Sequence, residues 1–164
     1  MAAVAYQQEK HSVLRLLMVE ESIEDALLLA CALRDGGYQS QCERVETAEA
    51  MIAALENQEW DLVISSHDMD LFDGTEAISI LKSHGTETPI IIVSNSIDIA
   101  SQDKLIKAGA SDCVLKDNLS SLIPAIEKIL PKTNQKPKTD LKLMKTDSNP
   151  NNLSETGNEE LLIA

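Results

Sequence analysis

Four short stretches of this chain place carboxylates, hydroxyls and a lysine at the ends of apolar runs. Glu20 and Glu21 follow VLRLLMV, and Ser65, Ser66, His67 and Asp68 follow DLVI. Ser94, Asn95 and Ser96 follow PIIIV, and Lys116 follows DCVL. An acid pair, a hydroxyl and an ammonium around one point suit Mg²⁺ and a phosphoryl group. Carboxylates hold the hard cation, the lysine neutralises phosphate oxygens, and the hydroxyl donates a hydrogen bond. Each residue alone is ordinary loop decoration. Their recurrence at four run ends is what carries weight.

Those run ends meet only if the runs are neighbouring strands of one sheet. Runs 13–19, 61–64 and 89–93 are apolar almost throughout, interrupted only by Arg15 in the first, while 41–45 and 112–115 are weaker. Helical patterns lie between them. Ser22 caps the first helix with Asp25 three residues on, Ile23, Ala26, Leu27, Ala30 and Leu33 recur at helical spacing, and Gly36-Gly37 ends it. A second helix starts at Thr47, a third runs from about Gly74 to near Gly85, and a fourth covers roughly 99–108 before Gly109. The fifth is expected over about 119–130, with Pro124 either delaying its start or kinking it. Strands apolar nearly throughout are covered on both faces, as in a parallel sheet, and right-handed crossovers put helices on both sides. The expected fold is α/β, doubly wound, with its crevice at the carboxyl ends of the strands.

Composition limits the function classes. The chain has 164 residues, 43% of them apolar and only 2% aromatic, so its core is built from aliphatic side chains. A net charge of −13 argues against binding nucleic acid or an anionic membrane surface. Cys31, Cys42 and Cys113 form no CxxC pair or Cys/His cluster, and read as free thiols in a reducing compartment. The first 12 residues lack the pattern of a signal peptide and are expected to be flexible. No apolar stretch approaches the ~20 residues that span a bilayer, so the expected location is cytoplasmic. The organisation read from the sequence is a flexible segment 1–12, a domain 13–131, and a disordered tail 132–164. That tail has five lysines and five acids, so the net charge sits in residues 1–131. Its closing EELLIA is either a short docking motif or an unselected end.

Over about residues 13–131 the chain resembles the receiver domain of bacterial response regulators. The motifs are LLMVEES, DLVISSHDMDLFDG, PIIIVSNS and AGASDCVLKDNL. The resemblance implies a flavodoxin-like sheet with strand order 2-1-3-4-5. Asp73-Gly74 and Met69 match the loop after the third strand, and counting back puts the phosphoacceptor position on Ser66. Glu20 and Glu21 match the acid pair, Ser94 the Thr/Ser position, and Lys116 the phosphate-binding lysine. Several positions depart from the family pattern. Ser66 has no carboxylate, so it cannot form an acyl phosphate and removes a Mg²⁺ ligand. Glu21 is longer than the usual Asp, so Mg²⁺, which demands near-octahedral ligands at ~2.0–2.1 Å, is expected to bind weakly at most. No other cofactor is implied. Asp70 and Asp117 stand where Pro is usual, and Cys113 occupies the aromatic switch position. Lys116 is expected to pair with Glu20 or Glu21, since a buried unpaired lysine is costly.

The reading that follows is a pseudo-receiver that works as a protein-interaction module in two-component or phosphorelay signalling, without Asp phosphorylation and not as an enzyme. Nothing foldable follows residue 131, so the expected output is binding to a signalling protein such as a histidine kinase or another regulator. The alternatives are a phosphorylatable receiver using Asp68 or Ser66, and a metal-dependent phosphohydrolase with His67 as its nearby imidazole. Asp68 is expected to point away from the crevice. The resemblance implies an interaction face of fourth helix, fifth strand and fifth helix, carrying Lys104, Lys107 and Cys113. A basic spot on an acidic body would steer an acidic partner; the plain alternative is that both lysines solvate an exposed helix. The sequence assigns no oligomeric state.

Overall fold

The computed structural model describes residues 13–130. The expected flexible N-terminus and disordered tail lie outside the described residues. Strands β1 (Leu14–Val19), β2 (Ser40–Val45), β3 (Leu62–Ser66), β4 (Ile90–Ser94) and β5 (Asp112–Leu115) alternate with helices α1 (Ile23–Asp35), α2 (Ala48–Asn57), α3 (Gly74–Ser83), α4 (Ile99–Ala108) and α5 (Leu122–Ile129). All four strand pairings are parallel, in the order β2-β1-β3-β4-β5. This is the doubly wound fold that the pattern of runs and helices predicts.

The sheet is central because its middle strands have nothing polar to show to water. β3 and β4 are buried at every position, and the β-branched Val and Ile of IIIVS pack well on a pleated surface. Alternation sends Leu14, Leu16, Met18, Leu62, Ile64, Ile91 and Val93 toward α1 and α5. Leu17, Val19, Val63, Ile90 and Ile92 pack on the other side, with Met51, Ala77, Ile78 and Leu105 of α2, α3 and α4. β2 reads weakly because it is an edge strand: SQCERV is mostly exposed, and its charged Glu43 and Arg44 discourage further pairing. Arg15, the polar interruption in the first run, forks onto Asp61. Its Nη2 lies 2.8 Å from Oδ1 and its Nε 3.2 Å from Oδ2, which ties β1 to the start of β3.

Side-chain caps start the helices at the carboxyl edge of the sheet. Ser22, Thr47, Asp73 and Asp98 each accept a bond from the third residue of the following helix, worth about 1 kcal/mol apiece. Asp73 and Glu76 form a reciprocal capping box. Gly74 at the start of α3 lets His67 approach: a Cβ there would lie 3.0 Å from the imidazole Nδ1 and 3.1 Å from Ile92. A 3-10 turn, Leu119–Ser121, precedes α5, so Pro124 falls in the first turn of that helix, where no backbone N–H is needed. The delayed start, rather than a kink, is how the proline is accommodated.

Candidate functional site

Glu20 follows β1 directly and continues the alternation of Leu16 and Met18 toward the α1/α5 side. Lys116, just beyond β5, continues that of Val114. The two meet as an ion pair with Lys116 Nζ 2.9 Å from Glu20 Oε1, the carboxylate 1% exposed and the lysine side chain 11%. The other Glu20 oxygen accepts from the Ser22 N–H at 3.0 Å. Lys116 makes a second contact, 2.8 Å to Asp25 Oδ2 in the first turn of α1. Burial pushes the Lys116 ammonium down, but the hydrogen bonds and charges of Asp25 and Glu20 outweigh it, and its pKa ends up raised.

The expected pairing is met through Glu20, with an addition from α1. Glu20 is a partner of Lys116, Glu21 is not, and Asp25 takes the second place. The Glu21 carboxylate turns to the β3–α3 loop and accepts from the Asp70 N–H at 3.3 Å. The acid pair is therefore split between two tasks. In the sequence Asp25 reads only as a capping partner of Ser22. Its backbone N–H does make that bond, at 3.1 Å, while its side chain reaches the lysine.

Ser66 ends β3 and is completely buried, and its hydroxyl has no hydrogen-bond partner. Ser94 ends β4, also buried, with its Oγ 2.9 Å from Asp68 Oδ2 and 2.9 Å from the Ser96 carbonyl. The Asn95 N–H donates to the same Asp68 oxygen at 2.7 Å. Asp68 thus faces the ends of the strands rather than away from them. Beyond Ser66 the chain leaves the strand, so alternation no longer governs where Asp68 points, and the exposed loop carries it over to β4. Among the described residues no three His, Cys, Asp or Glu side chains converge as a metal-ligand set.

Cys113 is half-buried in β5, and its N–H donates to the Asp112 carboxylate at 2.8 Å. Burial first, and the Asp112 charge second, push its thiol up to about 11. At pH 8 only about one thiol in a thousand is then thiolate, so alkylation monitored by peptide mass should label Cys113 far more slowly than the exposed Cys31. Comparable rates would show the thiol to be activated. Lys104 and Lys107 are both exposed on α4, Lys107 in the last turn, where a cation complements the helix dipole.

Residues 16–127 match the family model of the response regulator receiver domain. The chain belongs to this family. It is 33% identical over 130 residues to the two-component response regulator ORR42 of Oryza sativa subsp. japonica, covering 79% of this chain and 93% of the relative. It is 31% identical over 151 residues to the transcription factor SKN7 of Saccharomyces cerevisiae, covering 85% of this chain but spanning only 24% of that protein's length. The receiver fold also superposes on solved structures. One is a CheY-like response regulator receiver domain protein from Methanospirillum hungatei, at a TM-score of 0.62 and 22% identity over 74% of this chain and 97% of the other. Another is the chemotaxis protein CheY4 of Vibrio cholerae, at 0.63 and 20% over 73% and 100%. These two likenesses establish the fold alone.

Proposed function

We propose that this receiver domain acts in two-component signalling as a protein-interaction module that does not depend on Asp phosphorylation. The observation that carries the reading is the Lys116 ammonium held between Glu20 and Asp25, together with a buried serine at the end of β3. A serine hydroxyl cannot form an acyl phosphate. The lysine expected to neutralise phosphate oxygens is already neutralised by two carboxylates of the chain itself. The donor set also suits Mg²⁺ poorly: Glu20 is committed to Lys116, Glu21 accepts from the Asp70 N–H, and Ser66 supplies no charge.

A receiver phosphorylated elsewhere is the second reading. Asp68 favours it by being exposed and close to Ser94, whereas the burial of Ser66 disfavours a kinase reaching that hydroxyl. A phosphohydrolase has less support, since the Nδ1 of His67 is buried against Gly74 without a hydrogen-bond partner. No described helix is long and apolar enough to cross a membrane, and a cytoplasmic location is part of the proposal. The partner is a signalling protein, a histidine kinase or another regulator, rather than nucleic acid.

Retention on immobilised histidine kinases and response-regulator partners is expected to be the same with and without acetyl phosphate and Mg²⁺. Retention only after acetyl phosphate treatment would favour the phosphorylatable reading. Lys104→Glu with Lys107→Glu should slow association by about tenfold or more at low salt and leave the thermal midpoint nearly unchanged. If binding survives that reversal and is lost on mutating α1, the α4 face is not the docking surface.

A further inference from the structure

The end of β4 carries two donors that converge on one oxygen. The Ser94 hydroxyl and the Asn95 N–H lie 2.9 Å and 2.7 Å from Asp68 Oδ2. The second of these is short for an N–H···O bond, as expected when the acceptor is a carboxylate. We propose that Asp68 is a resident anion for this donor pair, locking the β3–α3 loop to the β4–α4 junction and fixing where α4 begins. The inference rests on the reading that no phosphoryl group occupies this crevice, and adds how the β4–α4 junction is held without one.

Three features of the geometry support a lock rather than a casual surface contact. Asp68 and Ser94 come from different strand ends, 26 residues apart, so their bond carries the β3–β4 pairing, whose last backbone bond runs from the His67 N–H to the Val93 carbonyl, on into the two loops. The junction leads directly into α4: Asp98 caps that helix by accepting from Ser101 N–H at 2.7 Å, three residues after Asn95. The first residue of the helix, Ile99, is 79% exposed, and Leu105 is the only α4 residue buried in the core, so packing alone holds the start of α4 weakly. The orientation of this start, and of the face bearing Lys104 and Lys107, is then set by the hydrogen bonds of residues 94–98.

The Ser94 hydroxyl has one proton and two acceptors, Asp68 and the Ser96 carbonyl. Losing Asp68 leaves that hydroxyl satisfied by Ser96, but strips the Asn95 N–H of its acceptor. Asn95 is therefore where the lock is read. In the Asp68→Ala variant, amide exchange at Asn95 followed by NMR should be about tenfold faster or more, the fold-change of losing one hydrogen bond to a charged acceptor. Resonances of Asn95–Asp98 and the first turn of α4 should shift with it. Asp68→Asn keeps an acceptor oxygen without the charge and should fall between. Ser94→Ala keeps the Asn95 bond and should leave that amide protected.

Unchanged Asn95 exchange and unchanged α4 resonances in folded Asp68→Ala would overturn the lock. Intact mass after acetyl phosphate and Mg²⁺, measured on the same wild-type sample, separates the two failures. Uptake of a phosphoryl group would remove the reading beneath the inference, whereas an unaltered Asn95 would remove the inference and leave that reading standing.

Discussion

Lys116→Ala is expected to destabilise the domain by about 3–5 kcal/mol, the cost of leaving a buried charge without its partner. Glu20 is the residue that makes the loss large. At 1% exposed it cannot recover hydration, and after the substitution it keeps only the Ser22 N–H. Asp25, with a side chain 33% exposed, can be rehydrated and contributes less. The thermal midpoint should fall on the order of 10–20 °C for a domain of this size. The control is Lys116→Met combined with Glu20→Gln. Removing both charges together should cost less than the two single changes summed, because neither leaves the other stranded. Strict additivity would mean that the two groups do not interact. The pH dependence has a definite sign. Lys116 has its pKa raised in the folded state, so its contribution is fully present below the ordinary value of 10.5 and is lost as pH rises through the folded value. Wild-type stability should therefore fall at strongly alkaline pH by a term that Lys116→Met lacks.

Ser66→Asp is the second large effect. The position is completely buried, so without metal a carboxylate there should lower stability by roughly 2–4 kcal/mol. Adding Mg²⁺ should recover about 2.7 kcal/mol when the free ion reaches some hundredfold its Kd, since the ion then binds the folded state alone. The wild-type chain should show no such Mg²⁺-dependent rise in midpoint. That difference would trace the expected weakness of Mg²⁺ binding to the missing carboxylate. An equal rise in both proteins would mean that Glu20, Glu21 and their neighbours hold the ion unaided.

The fold is legible in the sequence where local pattern decides structure. IIIV and LVI are apolar, short and mostly β-branched, and they become the central strands. The cap at Ser22 and the helix start at Thr47 are read from single residues, because an N-cap bond spans only three positions. β2 was faint because an edge strand has no need to be apolar. In the site, Glu20, Ser66, Ser94 and Lys116 could be placed at strand ends by counting along runs. Counting reaches neither Asp25 nor the direction of Asp68, for two different reasons. The Asp25–Lys116 bond joins residues 91 apart on a helix and a strand end, a pairing that no local pattern encodes. Asp68 sits in a loop, where side-chain direction depends on the local path of the chain rather than on a two-residue repeat. The split of Glu21 from Glu20 has the same origin, since Glu21 follows the loop that offers it the Asp70 N–H.

Intact mass after incubation with acetyl phosphate and Mg²⁺ decides whether this receiver domain, as proposed, works without accepting a phosphoryl group. The wild-type mass should stay unchanged, while Ser66→Asp, treated in parallel, should gain one phosphoryl group and prove the conditions competent. A wild-type adduct of one phosphoryl group, lost in Asp68→Asn, would show that the domain does accept one and would move the acceptor to Asp68.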